Sequence, residues 1–134
     1  MMKVDKMMNN GLIIAGRVLL GLYFLVPGIM KFVAWDMHVG LMAKHGMVFI
    51  PFFLAAAAIF QIIAGSALIV NRYTGIVSIL LALLVLAINV NLHDFWNLDG
   101  LEGAHEMQNF IKNMGIFAGL LILAGHNLPK LAEK

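Results

Sequence analysis

From Thr74 to Leu92 the chain reads TGIVSILLALLVLAINVNL, nineteen residues without a charge. At about 1.5 Å per residue a helix of that length covers roughly 28 Å, close to the hydrocarbon thickness of a bilayer. Three further apolar runs occur, Gly11 to Met30, Phe49 to Val70 and about Phe110 to Gly125. Hydrophobic residues make up 62% of the chain and charged ones 12%, against roughly half and a quarter in soluble domains. A chain of 134 residues has too little interior to absorb that surface, so lipid must be part of its solvent. No stretch shows the alternation of a membrane barrel. The expectation is an all-α integral membrane four-helix bundle, one domain over residues 1–134, with spans of about 11–30, 49–70, 74–92 and 110–125.

The first run resembles a signal peptide at its start. Its length, Arg17 and the lack of a small-x-small site before Lys31 favour a retained span. Pro27 removes a backbone donor and is expected to kink that helix near Tyr23. Between Lys31 and Val48, the residues Met37, Leu41 and Met42 fit one face of a short interfacial helix. Ala55 to Ala58 and Gly65 give the second span a small-residue face for close packing.

Four spans place both ends and the Asn71–Thr74 turn on one side. That side holds Lys3, Lys6, Arg72, Lys130 and Lys134, against Lys31, Lys44 and Lys112 towards the other. The positive-inside rule then makes both termini cytoplasmic. Phe32, Trp35, Phe49, Phe52, Phe53, Phe95, Trp96 and Phe110 gather at the outer ends of the spans, and interfacial anchoring accounts for most of them.

Several chemistries are excluded. The chain has no cysteine, hence no disulfide, thiolate metal site or thiol nucleophile. A net charge of +2 gives no argument for nucleic acid. No pair among the five histidines has metal-binding or haem-binding spacing, so no metal site is expected. Nucleotide fingerprints and a catalytic serine context are missing.

Polar residues within the spans are the informative exceptions, because burying them unpaired is costly. Arg17, Gly21, Phe24, Gly28 and Lys31 recur at spacings of four, three, four and three, on one stripe. Arg17 either reaches back to the headgroups or turns inward to Gln61 on the second span. An Arg17–Gln61 bond leaves the guanidinium charge uncompensated, which suits an anionic or electron-rich ligand with Phe24 and Phe60 packing its ring. A purely structural bond is the other reading.

At the outer end, Asn89 and His93 share one face of the third span, and Gln108 and Lys112 one face of the fourth. With Asp94 and Trp96 they are expected to form a cluster, the acidic loop folding over the outer ends of helices one and four. That fold brings His93 or Asp94 near Lys112, Gln108 or Lys31. Such a cluster either moves protons or holds a polar headgroup, or it only stitches the loop down.

R-V-L-L-G-L-Y-F-L-V-P-G-I-M-K (Arg17 to Lys31), Q-I-I-A-G-S-A-L-I-V (Gln61 to Val70), H-D-F-W (His93 to Trp96) and Q-N-F-I-K-N-M-G-I-F-A-G-L-L-I-L-A (Gln108 to Ala124) follow one another in an order that resembles the DoxX family of small bacterial four-helix membrane proteins. The resemblance runs from Arg17 to about Gly125. Members often carry Glu where this chain has Gln61, so the carboxylate such members place there is missing here. The resemblance implies a bacterial plasma (inner) membrane protein linked to redox metabolism. Relatives include a subunit of a thiosulfate:quinone oxidoreductase and partners in an oxidative-stress membrane complex.

It therefore implies a subunit or accessory of a quinone-linked or oxidative-stress assembly. Quinone is its ligand in that reading, and membrane lipid, a redox protein and further copies of itself are its partners. It would carry no self-contained catalytic motif. The alternatives are a small transporter with Arg17 and Gln61 lining its path, or a non-catalytic scaffold.

Overall fold

The computed structural model describes residues 2–129. The elements are α1 (Met2–Val33), α2 (Trp35–Lys44), α3 (Ile50–Ile69), α4 (Thr74–Leu92), a 3-10 turn at Phe95–Asn97 and α5 (Gly100–Asn127). Among the described residues there is no strand, and α1, α3, α4 and α5 are long and apolar enough to cross a membrane. The protein is an all-helical membrane bundle. Lys130 and Lys134, expected as topology markers, lie outside the described residues.

Two helices are longer than their apolar runs. α1 starts at Met2 rather than Gly11 and passes through Pro27 to Val33, 32 residues or about 48 Å of helix. α5 starts at Gly100, so the acidic stretch expected to be a loop is mostly its first turns. Hydropathy located where the hydrocarbon begins, not where the helix does. Glu, Gln, Ala and Met between Glu102 and Gln108 all favour helix, and Glu102 in the first turn complements the helix dipole.

α2 lies across one end of the bundle, called here the cap; the opposite end, where α1 begins and α5 finishes, is the base. Of the apolar residues expected on one α2 face, Met42 is buried, whereas Met37 is 65% exposed. Schellman-type turns close α2 and α3. At Gly46 (φ 72°) the amide bonds Ala43 O at 3.0 Å and Met47 N bonds Met42 O at 3.1 Å. At Asn71 (φ 58°) the corresponding bonds run to Leu68 O at 3.2 Å and from Arg72 N to Ala67 O at 2.8 Å.

Lipid tails are as apolar as leucine, so the spans cohere through close packing rather than by hiding from water. α1 packs antiparallel on α3 through two glycines. A Cβ on Gly65 would lie 2.6 Å from Gly21 O and 2.7 Å from Leu25 N, and one on Gly21 would lie 2.7 Å from Gly65 O. That contact fixes the register, with Arg17 beside Leu68, Phe24 beside Gln61 and Gly28 beside Ala58. α4 packs mainly on α5, and the two pairs meet in a layer containing Phe24, Leu68, Leu81, Val85 and Leu120. Leu19, Ile63, Leu83 and Ile122 point out of the bundle and meet lipid.

Replacing Gly65 by Val forces two backbones apart, since the atoms it meets cannot rotate away. We expect a loss of about 1–3 kcal/mol, measured as a lower unfolding midpoint of the detergent-solubilised protein. Gly119→Ala, whose added carbon meets nothing within 4 Å, should leave the midpoint unchanged. Equal midpoints for both variants would show that the glycine contact does not hold the pair together.

Candidate functional site

Beneath α2, between the cap ends of α3 and α4, lies a cavity of about 520 Å³. Most of its wall is aliphatic, from Leu54, Leu84 and Ile88. Four polar side chains interrupt it: Lys31 from the last turn of α1, His38 from α2, and Asn91 and His93 from the end of α4. The sequence order explains the convergence. Lys31 shares the Gly21–Phe24–Gly28 stripe that the glycine contact turns towards α3, and α2 folds back over it.

The histidines have defined ring orientations. His38 Nδ1 lies 2.8 Å from Ala34 O, and a carbonyl only accepts, so Nδ1 carries the proton and Nε2 is left for a ligand. His93 Nδ1 lies 2.6 Å from Glu106 Oε2, which orients that ring from α5 in the same way. Asn91 Nδ2 donates to Ala87 O at 2.8 Å.

The cap is closed by carboxylates. His45 Nδ1 meets Asp94 Oδ1 at 2.8 Å, with both side chains largely buried, and Asn97 Nδ2 donates to Asp94 Oδ2 at 2.9 Å. The Asn97 amide, ahead of His45, holds the Asp94 carboxyl below its ordinary range. Lys44 Nζ reaches Glu102 Oε1 at 2.6 Å on the exposed surface, a hydrogen bond that raises the ammonium's pKa. Trp96 and Phe95 stand edge-on to Phe110, at 6.0 and 5.4 Å between centroids, and tie the 3-10 turn to α5.

A second polar chain lies just below. Tyr23 Oη donates to Asn113 Oδ1 at 3.1 Å, Asn113 Nδ2 to Asn89 Oδ1 at 3.0 Å, and Asn89 Nδ2 to Phe110 O at 3.1 Å. It links α1, α5 and α4 in sequence, with Asn89 only 1% exposed.

Two expectations are corrected by this geometry. Arg17 does not bond Gln61: Arg17 Nε donates to Leu68 O at 2.9 Å, whereas Gln61 Nε2 reaches Phe24 O at 3.4 Å. The glycine register puts the two seven residues apart along α3, about 10 Å. Phe24, expected to pack a ligand ring, is 1% exposed in the core layer.

The single outer cluster of Asn89, His93, Asp94, Trp96, Gln108 and Lys112 does not form. Asn89, His93 and Asp94 each have a different partner, and Gln108 and Lys112 lie exposed on the outer face of α5. Gln108 follows Glu106 by two residues, about 200° around a helix, so both cannot face His93. Glu106, Asn113, Tyr23, His38 and His45 are the participants that sequence reasoning missed. A 3–4 spacing through Glu106, Phe110, Asn113 and Phe117 was the signal for the first two.

Compared with known families, the chain is matched by the DoxX model over residues 12–94. That match spans α1 to α4 and ends beside His93, so Glu106 lies beyond it. No curated protein and no solved structure matches the chain.

Asn89→Leu leaves Asn113 Nδ2 without its acceptor. Coupling between Asn89 and Asn113 should be about 1 kcal/mol, within the range for hydrogen bonds between membrane helices. A double-mutant cycle with Asn89→Leu and Asn113→Leu, followed by unfolding in detergent, measures it. Strict additivity would mean that the two amides do not act together.

Proposed function

Since the chain belongs to the DoxX family, we propose that it serves as the membrane subunit of a redox assembly and holds a quinone-like molecule in the cavity beneath α2. The observation that carries this reading is the convergence of Lys31, His38 and His93 on one aliphatic cavity. Its volume of about 520 Å³ falls in the ordinary range for small-molecule sites, roughly 300–1,000 Å³.

The donor set suits both forms of a quinone. The Lys31 ammonium only donates, which matches a carbonyl oxygen. Neutral His38 and His93 offer Nε2 as acceptors, which match the hydroxyls of the reduced form. Glu106 behind His93 engages Nδ1 at 2.6 Å, which fixes the ring and leaves Nε2 for the ligand. With no cysteine, the chain has no thiol couple to take the electrons, and we assign their source to a redox protein docked at the membrane.

The same reading places the protein in a bacterial inner membrane with its base cytoplasmic, in line with Lys3, Lys6 and Arg72 at that end. Below the cavity, Phe24, Leu68, Leu81 and Leu120 are at most 1% exposed. This packed layer favours a binding site over the transport path that the sequence left open.

The test is a titration of the protein in nanodiscs with a short-chain ubiquinone. Saturable binding is expected, weakened roughly tenfold in Lys31→Met, the scale of one charged hydrogen bond. Arg17→Ala, at the far end, should bind as the unmodified chain does. Absence of saturation, or a Lys31→Met protein that binds normally, would overturn the proposal.

A further inference from the structure

A second cavity, of about 230 Å³, lies at the base between α1 and the adjoining ends of α3 and α5. Arg17 lines it with Asn10, Asn71, His126 and Asn127, and among the described residues no carboxylate does. Arg17 Nε is bound to Leu68 O at 2.9 Å, which holds the guanidinium by one edge against the last turn of α3. Among the described residues Arg17 forms no ion pair and no other hydrogen bond, so its terminal NH₂ groups are free to donate.

The neighbours are matched to an acceptor. Asn71 sits in the left-handed position of the α3–α4 turn (φ 58°), and its Oδ1 accepts from Thr74 Oγ1 at 2.6 Å. That commits the amide oxygen and leaves Nδ2 to donate. His126, exposed in the last turn of α5, adds a ring N–H. Asn127 donates to Leu123 O at 2.8 Å and keeps Oδ1 as an acceptor for a hydroxyl.

A positive fork beside amide and imidazole donors, with no acidic partner among the described residues, is the donor set of a phosphate site. Its level supports the same conclusion. Arg17 stands at the end of two spanning helices, where headgroups begin, and Ile14 on the cavity wall is half exposed towards the acyl chains. We propose that this pocket binds the phosphate group of an anionic membrane lipid. The guanidinium of Arg17 takes two oxygens, and Asn71 and His126 donate to the others. The proposal is independent of the cavity at the cap.

Native mass spectrometry of the delipidated full chain tests it, with phosphatidylglycerol, phosphatidylcholine and inorganic phosphate as probes. One tightly held phosphatidylglycerol is expected, retained in preference to phosphatidylcholine. Arg17→Gln should weaken it roughly ten- to a hundredfold, and His126→Ala severalfold, as losses of charged and neutral hydrogen bonds. Lys112→Gln, which removes an exposed charge elsewhere, should change nothing.

If inorganic phosphate displaces the lipid, the pocket is a free-phosphate site; if it does not, the site belongs to the headgroup. Either result sustains phosphate recognition. Equal retention of phosphatidylcholine would show that an anionic headgroup is not selected. Equal losses in Lys112→Gln and Arg17→Gln, or undiminished binding in His126→Ala, would show that this pocket is not the site; each overturns the proposal. The last measurement holds even if Arg17→Gln fails to fold.

Discussion

The contact between Gly21 and Gly65 is where two backbones touch, and the positions of both cavities follow from it. Any side chain at either glycine would meet main-chain atoms at under 3 Å, so α1 and α3 have one way to sit against each other. That register sets Arg17 at the end of α3 and Lys31 near its beginning. A slide of one helical turn, about 5.4 Å, would carry Lys31 off the cavity and Arg17 into the apolar layer. In a bilayer, where apolar groups gain little by changing partners, such steric fixing takes over a role that hydrophobic burial plays in soluble bundles.

Polar groups are distributed according to the same economy. Of the four polar side chains buried among the described residues, Thr74 bonds Asn71 and Asn89 joins the relay from Tyr23 through Asn113 to Phe110 O. In the other two, Gln61 Oε1 and Ser78 Oγ are buried without a partner among the described residues. Gln61 also shows why an amide and a carboxylate are not equivalent there. Its Nε2 donates to Phe24 O, a carbonyl that an ionised glutamate could not satisfy and would repel. At the cap, where water is near, the chain uses ionisable pairs instead.

Much of the fold was legible because membrane spans are written in long unbroken runs, and the Thr74–Leu92 run became a helix with those bounds. Periodicity also identified the α1 stripe. What it could not supply was depth. A stripe says which residues share a face, but the level at which Arg17 meets α3 depends on a glycine contact between segments far apart in sequence. The cap was hidden for a related reason: polarity after Leu92 has the look of a loop, although most of those residues belong to a helix outside the hydrocarbon. Once α5 begins at Gly100, Glu106 rather than Gln108 faces His93, and the partnerships of the cap change with it.

The packed layer of Phe24, Leu68, Leu81 and Leu120 has an electrical consequence. It separates the cap cavity from the base, so a charge that enters the cavity from the cap end stays on one side of that layer. A proton making that short passage crosses only a small part of the membrane's field. Full passage would be worth about 2.3 kcal/mol per 100 mV. Charge movement into the cavity from the cap end should therefore be nearly indifferent to membrane voltage.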